Sequence, residues 1–188
     1  MKLKSGTTIF LIGLVVLGMW LMGSYNGLVQ KDQAVDAQWS QVEAQYQRRY
    51  DLIPNLVEAA KGFLDQEQEI LETIAMARQG YAGAQTVEEK AEASNQVESA
   101  LSRLLVIIEN YPELKSNETI AQVMDELAGT ENRVSVERMR YNDLARDYNV
   151  QAKSFPTMLI AGMFGFSEKA YFEADVAAQS APQVDFRN

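Results

Sequence analysis

Residues 7–23 read TTIFLIGLVVLGMWLMG, and the wider stretch 5–30 holds no charged residue. As a helix, these 17 residues rise about 25 Å, a little short of a bilayer core of about 30 Å. Tyr25, Leu28 and Val29 extend the run, and Trp20 and Tyr25 suit a membrane–water interface. A cleaved signal peptide would end in small residues at alternate positions. Here Leu21 or Met22 stands where a small residue should precede a cut near Gly23 or Ser24. The stretch therefore reads as a retained anchor: a short segment over 1–5, then a transmembrane helix over 6–24. Lys2 and Lys4 precede the span and only Lys31 follows closely. By the positive-inside rule the N-terminus is then cytoplasmic and the rest of the chain lies outside. Arg48 and Arg49 follow further on, so the opposite orientation stays open.

Beyond the anchor, apolar residues continue at helical spacing. Leu28, Val35, Trp39, Val42, Tyr46 and Ile53 share one face, with no turn signal before them. The first soluble helix is expected to continue the membrane helix. Asp51 and Pro54 mark an expected break, with Asp51 as a cap and Pro54 in the first turn of a second helix. That helix carries Leu56, Val57, Ala60, Phe63, Leu64, Ile70, Leu71 and Ile74 and ends near Gly80, with Gly83 in the turn. Thr86 and Glu89 form a capping-box pattern that opens a third helix. Its seam is Ser94, Val97, Leu101, Leu104, Ile108 and Tyr111, and Pro112 ends it. Ser116 or Asn117 caps a fourth helix that runs to about Phe155, before Pro156. Its Tyr141, Tyr148 and Phe155 form a stripe with core periodicity.

Four helices joined by short turns predict an all-α fold: an N-terminal transmembrane helix continuing into an antiparallel up-and-down four-helix bundle over 25–155. An even helix count returns the chain towards the membrane. It delivers the apolar run MLIAGMFGF, within 156–166, too short to span. Met158, Leu159, Ile160, Met163, Phe164 and Phe166 are therefore candidate membrane-interfacial residues. Residues 167–188 mix small, polar and charged side chains and read as an extended or disordered tail.

Composition narrows the function. The net charge is −9, and no basic cluster offers a grip on nucleic acid. With neither cysteine nor histidine, the chain has no disulfide, no thiol nucleophile and no imidazole-based triad or metal site. A carboxylate-bridged metal pair of the usual bundle type needs Glu-x-x-His. An all-carboxylate site drawing on Glu43, Asp51, Glu58, Glu109 or Glu131 stays open. No phosphate-cradling glycine loop, GxSxG or dinucleotide fingerprint is present. No cofactor is expected.

Several segments are distinctive together: YNGLV at 25–29, VDAQWSQVEAQYQRRYDLIPNLVEAAKGF at 35–63 and ALSRLLVIIENYPELKSNE at 100–118. GTENRVSVERMRYNDLARDYN at 129–149, FP at 155–156 and FGF at 164–166 follow. Through them the chain resembles the LemA family of bacterial single-pass membrane proteins. The resemblance implies one membrane helix followed by an antiparallel bundle, in the bacterial cytoplasmic (inner) membrane. It implies no enzyme, because the family has no generally accepted catalytic activity. It also implies a cytoplasmic bundle, against the orientation read from Lys2 and Lys4.

Arg48, Arg49, Asp51 and Asn55 are expected at one bundle end, where Tyr111 and Glu113 return. Those six are candidate partner-docking residues; local caps and turn hydrogen bonds are the simpler account of them. Glu131, Arg138, Tyr141, Asn142 and Asn149 form either a buried network or a solvated face. The function expected is a membrane-anchored scaffold or adaptor that recruits or organises partner proteins, possessing enough apolar helix surface to form a homo-oligomer. Membrane lipid and unidentified proteins are its expected partners. The alternatives are a lipid- or peptide-binding sensor and a regulatory subunit of a membrane enzyme.

Overall fold

The apolar N-terminal stretch and the amphipathic stretch after it form one helix. In the computed structural model, which describes residues 5–61 and 68–172, α1 runs Ser5–Lys61 without interruption. Its first part packs against nothing: residues from Ile9 to Met22 are exposed, and an apolar window there has a mean hydropathy of 2.0 with none of it buried. From Leu28 onward one stripe is buried: Val35, Val42, Tyr46, Tyr50, Ile53, Leu56 and Ala60. The spacing by threes, fours and sevens is that of one helix face.

The expected break at Asp51 and Pro54 is absent, because Pro54 lies inside α1. A proline there removes one backbone hydrogen bond and crowds the preceding turn, at a cost of about 3 kcal/mol or more. Burial continues in register on both sides of it, at Ile53, Leu56 and Ala60, and this packing outweighs local propensity. Asp51 caps nothing. Its carboxylate accepts a hydrogen bond from Gln47 Nε2 at 2.8 Å, one turn back on the helix surface.

The second helix, α2, is therefore shorter than expected, Gln68–Gly83. Helix α3 spans Val87–Asn110, α4 Pro112–Lys115, α5 Glu118–Lys153 and α6 Thr157–Phe164; no strand occurs among the described residues. The capping box is present: Thr86 Oγ1 accepts from Glu89 N–H at 3.1 Å, and the Glu89 carboxylate accepts from Thr86 N–H at 3.2 Å. Pro112 ends α3 and opens α4. Asn117 caps α5 through its side-chain oxygen, which accepts from Thr119 N–H and Ile120 N–H.

The described chain divides into two units, splitting α1 after Gln41 and α5 after Arg138. The unit over Val42–Arg138 is an up-and-down four-helix bundle, and its side-chain pairs give the directions. Glu43 meets Lys90, Tyr46 meets Ser94 at 3.0 Å and Arg49 meets Glu98 at 3.4 Å, so α3 runs parallel to α1. Tyr46 meets Arg138 and Arg49 meets Glu131, so α5 runs antiparallel. Tyr81, near the end of α2, packs on Tyr50 with ring centroids 4.5 Å apart, so α2 runs back along α1. Ile74, Val97, Leu104, Ile120 and Val134 fill the space between the helices.

The other unit pairs 5–41 with Met139–Lys169. Lys31 Nζ donates to the Asp147 carbonyl at 3.3 Å, and Trp39 meets Tyr141 edge-on at 5.8 Å. Rising numbers on α1 meet falling numbers on α5, an antiparallel pair. Tyr141 and Tyr148 are buried as their stripe predicts, but Phe155 is 78% exposed. The reason is local: α5 stops at Lys153, so Phe155 leaves the helical register. Helix α6 buries Ile160 and Ala161 and ends on Gly165, whose φ of 77° is left-handed backbone suited to glycine.

Candidate functional site

Two arrangements of side chains stand out, one in each unit. In the unit holding the apolar N-terminal stretch, Tyr25 follows the apolar run 7–23 and receives Phe164 at 4.9 Å and Phe166 at 5.7 Å between ring centroids. Helix α6 thus lies against the end of the apolar stretch. Its outward side is Met158, Leu159 and Met163, all exposed, with the exposed Phe155 before it. So many large apolar side chains exposed together mark an interaction surface.

A segment after α6 is pinned to the same unit. Asn149, buried, accepts from Lys169 N–H at 2.9 Å and donates to the Lys169 carbonyl at 2.8 Å. Tyr148 Oη donates to the Ser167 carbonyl at 2.9 Å. Lys169 Nζ lies 2.8 Å from both Asp32 and Asp36, one helical turn apart on α1. Partial burial alone would pull the Lys169 ammonium down, but its bonds to the two carboxylates outweigh that and hold it well above its usual value. Lys153 and Glu168 form a further ion pair at 2.6 Å, largely exposed.

The second arrangement is a polar core inside the four-helix unit. Tyr46 Oη accepts from Arg138 Nε at 2.5 Å and from Ser94 Oγ at 3.0 Å. Arg138 also donates to Ser94 Oγ and Asn95 Oδ1, and its guanidinium lies 5.3 Å from the Tyr46 ring centroid. Glu98 bridges Arg138 and Arg49, each at 3.4 Å. Burial pushes the Tyr46 phenol up, against the opposing pull of Arg138. Burial likewise drives Tyr50 and Tyr81 well above the ordinary tyrosine range. The Tyr50 hydroxyl finds no partner among the described residues.

The candidate docking residues separate by depth. Arg49 is 5% exposed and joins Glu98 and, at 3.9 Å, Glu131. Arg48 is exposed and pairs with Glu126 at 3.1 Å. Asp51, Asn55 and Glu113 are exposed, and Tyr111 is half-buried between α3 and α4. Of the interfacial candidates, Ile160 faces inward and Phe166 is half-buried; the others are exposed. Lys2, Lys4 and the tail over 173–188 lie outside the described residues. Of the polar residues read on the fourth helix as either a network or a solvated face, Arg138 joins the polar core, Glu131 is exposed and reaches Arg49 at 3.9 Å, and Asn149 grips the Lys169 backbone. Among the described residues no three acidic side chains converge as a metal site would require.

Residues 38–186 match the LemA family. The chain belongs to that family. The LemA match begins within α1, after the exposed apolar part, and covers every later helix. Magnetosome protein MamQ of Magnetospirillum gryphiswaldense is 26% identical over 94% of this chain and 75% of its own length. Two MamQ proteins of Paramagnetospirillum magneticum are 32% identical over 44% of this chain, which spans only 30% of their length. Protein LemA of Metamycoplasma hominis is 22% identical over 88% of this chain and 76% of its own length. LemA membership and the apolar N-terminal helix make this a membrane-associated helical protein.

Proposed function

We propose that the chain is a non-enzymatic scaffold or adaptor, held in the bacterial cytoplasmic membrane by residues 6–24, that recruits or organises partner proteins. One observation carries this reading. The exposed apolar part of α1 and the exposed apolar side of α6 meet at Tyr25, giving one unit two membrane-seeking surfaces. A soluble catalyst needs neither, and a bundle tied to the bilayer twice is a platform. The MamQ relatives are named as magnetosome proteins, which adds that related chains serve at a cellular structure. Arg48, Asp51, Asn55 and Glu113 are the exposed polar residues assigned to partner contact, and copies of the chain are expected to associate.

The test is site-specific photo-crosslinking in native membranes from Asn55 and Glu113, with cross-linked proteins identified by mass spectrometry. The scaffold reading expects a small, reproducible set of proteins, including this chain itself. Their compartment also tests the proposed N-inside orientation. Crosslinks to lipid alone from both positions would refute the adaptor role.

A further inference from the structure

A cavity of about 280 Å³ opens beside α6 in the unit that holds the anchor. Ala152, Met158, Ala161, Gly162 and Phe166 give it apolar lining, Asn149, already bonded to the Lys169 backbone, adds a polar one, and the exposed Lys153 and Glu168 line it as well. That volume lies at the bottom of the range for ligand pockets. It suits a compact polar headgroup with its glycerol better than an acyl chain.

The height of the cavity follows from register. Gly27 faces Gln151, and Lys31 reaches the Asp147 carbonyl. Continuing the same antiparallel pairing sets Lys153 level with Tyr25, at the end of the apolar stretch. Phe166 lines the cavity and packs on Tyr25 as well. With residues 6–24 in the bilayer, the Lys153–Glu168 pair stands where lipid headgroups stand.

We propose that this cavity binds one zwitterionic phospholipid with a primary-amine headgroup, Lys153 taking the phosphate and Glu168 the ammonium. The charges are complementary, one cation and one carboxylate set side by side. The two side chains are 63% and 53% exposed, and exposed ion pairs are weak. A ligand that offers each its own counter-charge can therefore open the pair at little loss. The ammonium can donate hydrogen bonds to Glu168, which a quaternary amine cannot. An anionic lipid lacking the amine would set its phosphate against an unanswered Glu168. The lipid's glycerol and chain roots would then run over Met158 and Phe166 towards the bilayer.

This inference rests on the reading that α6 lies in the membrane interface, and the experiment separates the two. The full-length chain is reconstituted in bilayers of equal phosphatidylethanolamine, phosphatidylglycerol and phosphatidylcholine, and the lipid retained after gentle release is identified by native mass spectrometry. The wild type is expected to hold one phosphatidylethanolamine per chain. Glu168→Lys is expected to shift retention about tenfold towards phosphatidylglycerol, by like-charge repulsion of the amine. The exchanged pair, Lys153→Glu with Glu168→Lys, restores opposite charges and is expected to recover the wild-type preference, which a misfolded variant would not do. In parallel, a nitroxide on Met163→Cys, a unique thiol in a cysteine-free chain, reports the depth of α6 through its collisions with oxygen or an aqueous relaxant. Equal retention of all three lipids, or a preference untouched by both variants, with the nitroxide in the membrane, would overturn the headgroup site alone. A nitroxide exposed to the aqueous relaxant would overturn the interfacial reading and the lipid site together.

Discussion

Removing Glu98 should harm the protein more than removing the arginine it pairs with. Arg49 is buried at 5% exposure, and its Nε has no partner among the described residues. Its charge is answered by Glu98 at 3.4 Å and by the exposed Glu131 at 3.9 Å. Glu98→Leu leaves Arg49 only the longer, solvent-screened contact. Arg138 is spared, because Tyr46, Ser94 and Asn95 still accept its hydrogen bonds. An orphaned buried charge costs about 3–5 kcal/mol. Glu131 remains, and the Glu98 side chain is 31% exposed, so the loss should be about 2–3 kcal/mol, below that range. For a chain of this size that lowers the melting temperature by about 4–12 °C. Arg49→Met instead removes the buried charge and fills its space, leaving Glu98 with Arg138 and water. Its effect should stay within about 1 kcal/mol of wild type in either direction. The double variant, Arg49→Met with Glu98→Leu, should recover most of what Glu98→Leu loses. Thermal melts of the full-length protein in detergent, followed by circular dichroism, measure all three. An Arg49→Met loss equal to or above that of Glu98→Leu would refute the reasoning.

Other outcomes follow from the same geometry. Tyr46→Phe deletes the acceptor of a charged donor and should cost about 1.5–3 kcal/mol, read in the same melts. Thr86→Ala removes the α3 cap and should cost about 1 kcal/mol; an unchanged melt would mean the cap contributes nothing. Burial raises the phenols of Tyr46, Tyr50 and Tyr81 above their ordinary value. Their neutral forms therefore contribute stability that is intact below pH of about 10 and lost as pH rises through the higher folded values. Phenolate absorbance should show these tyrosines ionising only as the helices unfold. Asn149→Ala removes both bonds to the Lys169 backbone, so hydrogen exchange over 167–169 should accelerate while α3 stays protected.

Much of this was legible in the residues, and the failures have physical causes. The long apolar N-terminal helix could be read because a long uncharged run has few alternatives, and the amphipathic stretch continues from it as the stripe through Leu28 and Val35 requires. Thr86, Pro112 and Asn117 act locally, through caps and a missing N–H, and such signals need no tertiary context. Pro54 misled for the same reason. Its effect is local too, whereas the buried stripe across Ile53, Leu56 and Ala60 decides the outcome. The sign was present, since that apolar pattern does not change phase at the proline. The polar core was half visible: Ser94 interrupts an otherwise apolar seam, and a polar residue in that place needs a partner. Its partners, Tyr46 and Arg138, lie 48 and 44 residues away, beyond what spacing can pair. Lys169 gave no warning at all, because nothing in a polar tail signals two aspartates 133 residues or more upstream.

That separation has a consequence for biosynthesis. Asp36 leaves the ribosome 133 residues before the lysine that will bind it. At about 5–20 residues per second the interval is about 7–27 s. Throughout it the buried side of α1 at Leu28 and Val35 still waits for α5. A neighbouring nascent copy carries the same waiting surface and, once finished, offers an equivalent α5. Chains made close together on one membrane are thus exposed to exchanging their fourth bundle helix before each has closed on its own.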